Sequence, residues 1–190
     1  MDVRHWPAPL IRRTVPPVMG PDRWLTATPL GSRRVILEPL RIDHAEEMAP
    51  LLNDPALHTF IGGEPATIDE LRRRYTRICA GRSEDGSQCW LNWVVRRHDD
   101  AEAVGFVQAT VTQQDELLSA EVAWMIGTEQ QHRGFAHEAA ELMVGWLREQ
   151  GPASIVAHIH PDHRASAAVA QRIGLTPTGH VHDGEVCWTG

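Results

Sequence analysis

The chain reads as an α+β fold in which helices flank one mixed, mostly antiparallel sheet. Three observations predict it. Gln88 to Arg97 and Ala103 to Thr112 are strand-like runs joined by the turn-forming stretch His98–Glu102, which makes a hairpin. Glu121 to Ile126 is a further strand-like run, and a helix from Gly134 to Gln150 leads from it to a strand over Ser154–His160, a strand–helix–strand crossover. Asp183-Gly184 then separates two short strands, Thr178–His182 and Glu185–Trp188, with the turn signal of a closing hairpin.

The remaining elements follow in chain order. Residues 1–32 hold Pro7, Pro9, Pro16, Pro17, Pro21 and Pro29 without sustained periodicity, and read as an irregular arm. Trp6, Trp24 and Leu25 suggest that part of it docks, on its own body or on another surface. The folded domain spans 33–190. Val35 to Leu40 alternates as a first strand, with Pro39 near an edge or end. Asp43 is expected to open a helix through Asn53, with Glu46 at the capping-box position. Thr67 and Glu70 form a second capping box, starting a helix to about Ala80 that Gly81 ends. On it, Arg72-Arg73-Arg74 reads as a solvated face. In the helix after Gly134, Ala136, Ala140, Met143 and Leu147 share one face, which predicts close packing on the sheet. His163 to Ile173 is a helix stopped by Gly174. The order is βααβββαβαββ.

Composition narrows the function classes. The chain has 190 residues, 42% hydrophobic and 23% charged, enough for one core. The formal charge of -7 argues against nucleic acid as the main partner. No stretch approaches a membrane span, and the N-terminus does not read as a signal peptide. Cys79, Cys89 and Cys187 are odd in number and lack CxxC spacing, which points to a reduced, cytoplasmic setting. Every basic residue is Arg, so a lysine Schiff base is excluded.

The informative junction is Gln131-His-Arg-Gly134-Phe-Ala136. A strand enters it and a helix leaves it. That arrangement brings free backbone N–H groups, a helix N-terminus and Arg133 to one point, an anion site suited to a pyrophosphate. Gly134 would let the backbone approach a phosphate without an intervening Cβ.

Gln131-x-x-Gly134-x-Ala136 resembles the Q/R-x-x-G-x-G/A signature of the GNAT superfamily of acyl-CoA-dependent N-acyltransferases. His160-Pro-Asp-His-Arg-Ala-Ser166, followed by Val169 to Leu175, is similar to the P-x-N-x-x-S…(K/R)-x-G-F block of its RimJ/RimL-like branch. Arg34 to Leu52 looks like that branch's first strand and helix. The resemblance covers about Arg33 to Trp188. His163 stands where the branch has Asn, Gln131 where Arg is commoner, and Ala136 where Gly is commoner.

The resemblance implies the GNAT fold and acetyl-CoA as cosubstrate. It implies transfer to a primary amine of a small molecule or a protein N-terminus, without an acyl-enzyme. Gln131, His132, Arg133, Gly134, Phe135 and Ala136 would hold the pyrophosphate. Backbone groups of Trp124, Met125 and Ile126 would meet the pantetheine, one N–H serving as oxyanion donor. His163 would sit on the pantetheine or adenosine side. Ser166 would donate a proton or hydrogen bond to the departing thiolate, with a helix-capping role as the competing reading. Glu121, placed at the start of its strand, is the candidate base, directly or through water; the competing reading is a surface carboxylate. The only tyrosine, Tyr75, sits on an early helix, so a tyrosine acid is not expected. A homodimer is possible through the arm or the final strands.

Two other functions compete. One is a CoA-binding GNAT-fold module with weak or regulatory activity. The other is a zinc hydrolase, because His158-Ile-His160-Pro-Asp162-His163 spells H-x-H-x-D-H. Too little chain follows His163 for that fold's further ligands, so no metal site is assigned. His158 or His160 would instead line the acceptor cleft, even as an auxiliary base. Trp90, Trp93 and Trp124 read as core or cleft wall, and Asn92 and Gln108 as possible acceptor contacts.

Overall fold

The structure is a computed structural model that describes residues 25–114 and 117–190. Trp6, Trp24 and the prolines before Pro29 lie outside the described residues. Eight strands form one sheet: β1 (Leu30–Gly31), β2 (Val35–Pro39), β3 (Gln88–Arg97), β4 (Ala103–Gln114), β5 (Leu117–Ile126), β6 (Ser154–Ile159), β7 (Thr176–His182) and β8 (Glu185–Thr189). Their spatial order is β1-β2-β3-β4-β5-β6-β8-β7. Among the described residues, only β5 and β6 pair in parallel. The helices are α1 (Ala45–Leu51), α2 (Ile68–Ile78), α3 (Phe135–Gln150) and α4 (Arg164–Arg172).

One sheet face carries the main core. Leu91, Trp93, Val107, Ala109, Ala120, Val122, Ile155 and Ala157 meet Ala139, Ala140, Met143 and Leu147 of α3. Small residues on α3 let the helix come close, and each large side chain buried there contributes roughly 1.5–3 kcal/mol. The end of the arm belongs to this core. Leu25, Ala27 and Leu30 pack against it, Trp93 Nε1 donates to the Thr28 carbonyl at 2.8 Å, and β1 pairs with β2. Trp93 is thus a core residue.

The other face is covered only in part. Met48 of α1 and Leu71 and Tyr75 of α2 pack on Val94, Ala103 and Phe106. Burial pushes the Tyr75 hydroxyl up to about 12, as befits a packing residue. By the alternation of strand side chains, Asn92, Gln108, Thr110 and Glu121 share this face beyond the helices.

The Thr67/Glu70 capping box forms: the Glu70 N–H donates to Thr67 Oγ1 at 3.3 Å, and the Thr67 N–H to Glu70 Oε2 at 2.8 Å. The expected Asp43/Glu46 box does not. Asp43 is drawn to Arg41 and Glu46 to Arg72. The turn is closed instead by the Arg41 N–H donating to His44 Nδ1 at 3.1 Å, and α1 starts later, at Ala45. β5 also begins earlier than expected, at Leu117, so Glu121 lies mid-strand and not at its start. Gly127 ends β5 against α1, where an added Cβ would collide with the Leu51 side chain.

Candidate active site

β5 and β6 pair only from Ser119↔Ser154 to Glu121↔Val156. The Ser154 hydroxyl bonds Ser119 Oγ at 3.0 Å at the closed end. Beyond Glu121 the strands part, and Pro161 ends β6 because it has no N–H to continue a ladder. A cleft of about 670 Å³ fills the gap. Its walls come from β5, β6, the start of α4 and a segment between α1 and α2 that includes Leu57, Phe60 and Ile61.

The parting leaves backbone groups unpaired. Gly127 N–H donates to the Val104 carbonyl, so the antiparallel alternation turns the N–H and C=O of Val122, Trp124 and Ile126 toward the gap. Met125 therefore turns its backbone to β4, and it is its side chain that lines the cleft. Gln131 Nε2 donates to the Ile126 carbonyl at 3.0 Å, tying the loop to the end of β5 and using one of the free acceptors.

The loop after β5 makes a concave array of donors. His132 has φ 60 and Gly134 φ 83, and two left-handed residues so close together curl successive N–H groups inward. The N–H groups of His132 to Ala136 donate to no other described residue. They open the sixteen-residue helix α3, whose dipole adds positive potential at that point. Gly134 is needed for its φ, a conformation that costs a β-branched residue dearly.

Two residues with no sequence signal hold this loop. Arg34, before β2, bonds the Arg133 carbonyl at 3.0 Å and Glu138 Oε2 at 2.7 Å, and its guanidinium lies over the Phe135 ring. Ser32 also donates to Glu138. Burial would raise the Glu138 carboxyl, but the bonds from Ser32 and Arg34 hold it below its usual range. Glu138 thus stays ionised yet neutralised beside the donor array. Arg133 also stacks on Phe135, and its guanidinium bonds Gln130 Oε1 at 2.5 Å.

Further along the cleft, Ser166 lies in the first turn of α4 and lines the wall. His163 holds the N-cap position, so Ser166 does not cap. Its hydroxyl bonds no described residue, leaving it free for a ligand. The His163 ring stacks on Phe60 at 4.4 Å, and His160 tilts against the same ring at 5.4 Å. Burial, then the nearby His160, lowers the His163 pKa and favours the neutral ring.

Glu121 and His158 meet across the last paired rungs: His158 Nδ1 stands 3.2 Å from Glu121 Oε1. His158 lines the cleft, whereas Glu121 stands behind it with a side chain 59% exposed. The H-x-H-x-D-H segment is divided by these contacts. His158 goes to Glu121, His160 Nδ1 accepts from the Asp162 N–H, and His163 goes to Phe60. Among the described residues no cluster of His, Cys, Asp and Glu could hold a metal ion.

The sequence of residues 34–176 matches the Acetyltransferase (GNAT) domain family. No curated protein sequence matches. Among solved structures, RimL, the ribosomal L7/L12 alpha-N-protein acetyltransferase in complex with coenzyme A, superposes with a TM-score of 0.72 at 15% identity, covering 86% of this chain and 97% of that one. The ribosomal-protein-S5-alanine acetyltransferase from Vibrio fischeri gives a TM-score of 0.71 at 14% identity, covering 86% and 96%. Spermidine N-acetyltransferase from Vibrio cholerae, in complex with CoA and spermine, gives 0.67 at 17% identity, covering 83% and 94%. These likenesses speak for the fold, and the splayed strands and donor loop fit an acyl-CoA. No helix among the described residues is long and apolar enough to cross a membrane. The family match spans well over half the chain, and the protein belongs to the GNAT acetyltransferases.

Proposed function

We propose that the protein transfers an acetyl group from acetyl-CoA to a primary amine, on a small molecule or a protein N-terminus, by direct attack of the amine on the thioester. The observation that carries this reading is the coincidence of the parted strands with the free N–H array of His132 to Ala136. The array takes the pyrophosphate, and the gap-facing backbone of Trp124 pairs with the pantetheine arm as a missing strand would. The His163 ring, held by Phe60, borders the pantetheine on the α4 side.

The thioester then lies between β5 and Ser166. The gap-facing N–H of Trp124 donates to the carbonyl oxygen as negative charge develops there. Ser166 donates to the departing thiolate. The base that receives the ammonium proton comes from the Glu121–His158 pair at the point where the strands part. The amine enters from the side of Phe60, Ile61 and Glu185. Both acceptor classes suit this open mouth, as the protein-modifying and spermidine-modifying neighbours illustrate by their own substrates.

The test is thiol release from acetyl-CoA with a panel containing spermidine and peptides starting with alanine or serine, read with mass spectrometry of the amine. The expected result is an acetylated amine with stoichiometric CoA. CoA binding with no acetylated product across the panel would favour a binding module instead.

A further inference from the structure

We propose that His158 itself takes the proton from the acceptor ammonium, and that Glu121 is a positioning residue that fixes the imidazole for this task. The proposal rests on the acetyl-transfer reading and divides the labour within its site.

The placement favours His158. Parallel register sets Glu121 beside Val156, so His158, two residues further along β6, stands where the strands separate. Its ring lines the cleft and its side chain is 25% exposed, whereas the carboxylate of Glu121 sits outside the lining. A water-exposed carboxylate is also the weaker base for an ammonium, while imidazole is suited to proton transfer near neutral pH.

The hydrogen bond sets the tautomer. An ionised Glu121 accepts from Nδ1–H, which leaves the lone pair on Nε2. Nε2 bonds no described residue. This is the logic of a histidine base oriented by a carboxylate, in which the acid holds the ring and stabilises the imidazolium without taking the proton.

Other groups face His158 from every neighbouring strand. Glu121 approaches from β5. His182 of β7 lies edge-on with ring centroids 6.3 Å apart. Cys187 of β8 is its register partner, and Glu185 of β8 lines the same cleft. His160 follows on its own chain.

The step balances. His158 Nε2 takes one proton from the ammonium, and the free amine forms a bond to the thioester carbon. The carbonyl π bond opens to an oxyanion, then re-forms as the C–S bond breaks. As the amide forms, the second amine proton passes by way of the Ser166 hydroxyl to the departing thiolate, and His158 returns its own proton to solvent.

The test compares wild type, His158→Gln and Glu121→Gln on the best acceptor of the panel, with CoA affinity as the check on folding. His158→Gln is expected to lower kcat/KM about 100-fold or more, to leave the CoA Kd within about twofold, and to remove the rise of rate with pH. Glu121→Gln is expected to lower kcat/KM less, and to change the nitrogen NMR signals of the His158 ring because Nδ1–H loses the carboxylate that fixes its tautomer. A purely structural glutamate would leave those nitrogen signals in place. Independently, nitrogen NMR of the wild-type imidazole should report the Nδ1–H tautomer. Full turnover and an unchanged pH profile in His158→Gln, an Nε2–H tautomer, or a total loss confined to Glu121→Gln would overturn the assignment. A wild type that binds CoA and acetylates no amine would overturn the acetyl-transfer reading, and this proposal with it.

Discussion

At the α3 end of the cleft the groups offered to a ligand are backbone N–H; at the α4 and hairpin end they are side chains. The first end is built from one continuous segment, β5 through the first turn of α3, and is braced by Arg34 and Glu138. The second draws Phe60, Glu121, His158 and Glu185 from four places in the chain. On the proposed reading, the backbone array would recognise the pyrophosphate, a feature common to every acyl-CoA. A set of side chains from separate segments can change one at a time, so the acceptor can differ while the donor site stays the same.

That contrast predicts a separation of effects. The largest should come from Gly134→Val. Its φ of 83 is closed to a β-branched residue, and strain of about 1–3 kcal/mol that binding must overcome corresponds to roughly a tenfold to hundredfold loss of CoA affinity. Isothermal titration reads it directly; an unchanged Kd would break the assignment of the loop. Arg34→Ala should act on the same end but less, about threefold to tenfold in CoA affinity, since one brace of a partly exposed pair is lost.

Phe60→Ala should act on the other end. Its ring lines the mouth through which the amine enters; losing that aromatic contact, worth about 0.5–1.5 kcal/mol, should raise the acceptor KM roughly twofold to tenfold. CoA affinity should move less than the acceptor KM; the reverse order would assign Phe60 to the donor side.

The smallest effect separates scaffold from site. Burial lowers the pKa of His44, so the fold holds its neutral ring more firmly than the unfolded chain does. That contribution is full above the ordinary 6.5 and is lost as pH falls through the lowered value. Burial would raise the Glu38 carboxyl, but bonds from Arg96 and Arg41 hold it at about 2. Its contribution is full above 4.5 and fades as pH falls toward about 2. Urea unfolding followed against pH should therefore weaken in two gradual stages, with CoA-loop variants keeping the same profile.

The same contrast explains what the sequence made readable. The loop was legible because its backbone conformation restricts residue type, with Gly134 at positive φ and small residues along α3. The Thr67/Glu70 box was legible because it is local. Asp43 misled because Arg41, two residues back, competes for its carboxylate, and Glu46 because Arg72 reaches it from α2 by tertiary approach. Arg34 gave no signal, since an arginine before a strand looks like any solvated charge until α3 packs beside it. His158 and His160 were visible as strand-end histidines. That His158 faces Glu121 follows only from the parallel register, and the H-x-H-x-D-H spelling hides that a strand end, a turn and a helix cap send its members to different partners.

The central claim is that donor and acceptor are read by different ends of one cleft. Its most direct test is a backbone amide NMR titration, first with CoA and then with CoA plus the best acceptor. CoA alone should shift the amides of His132 to Ala136 and of Val122 to Ile126 most strongly. The second addition should shift those around Phe60, His158 and Glu185. Silence of the loop amides during the CoA titration, with shifts centred elsewhere, would contradict the account.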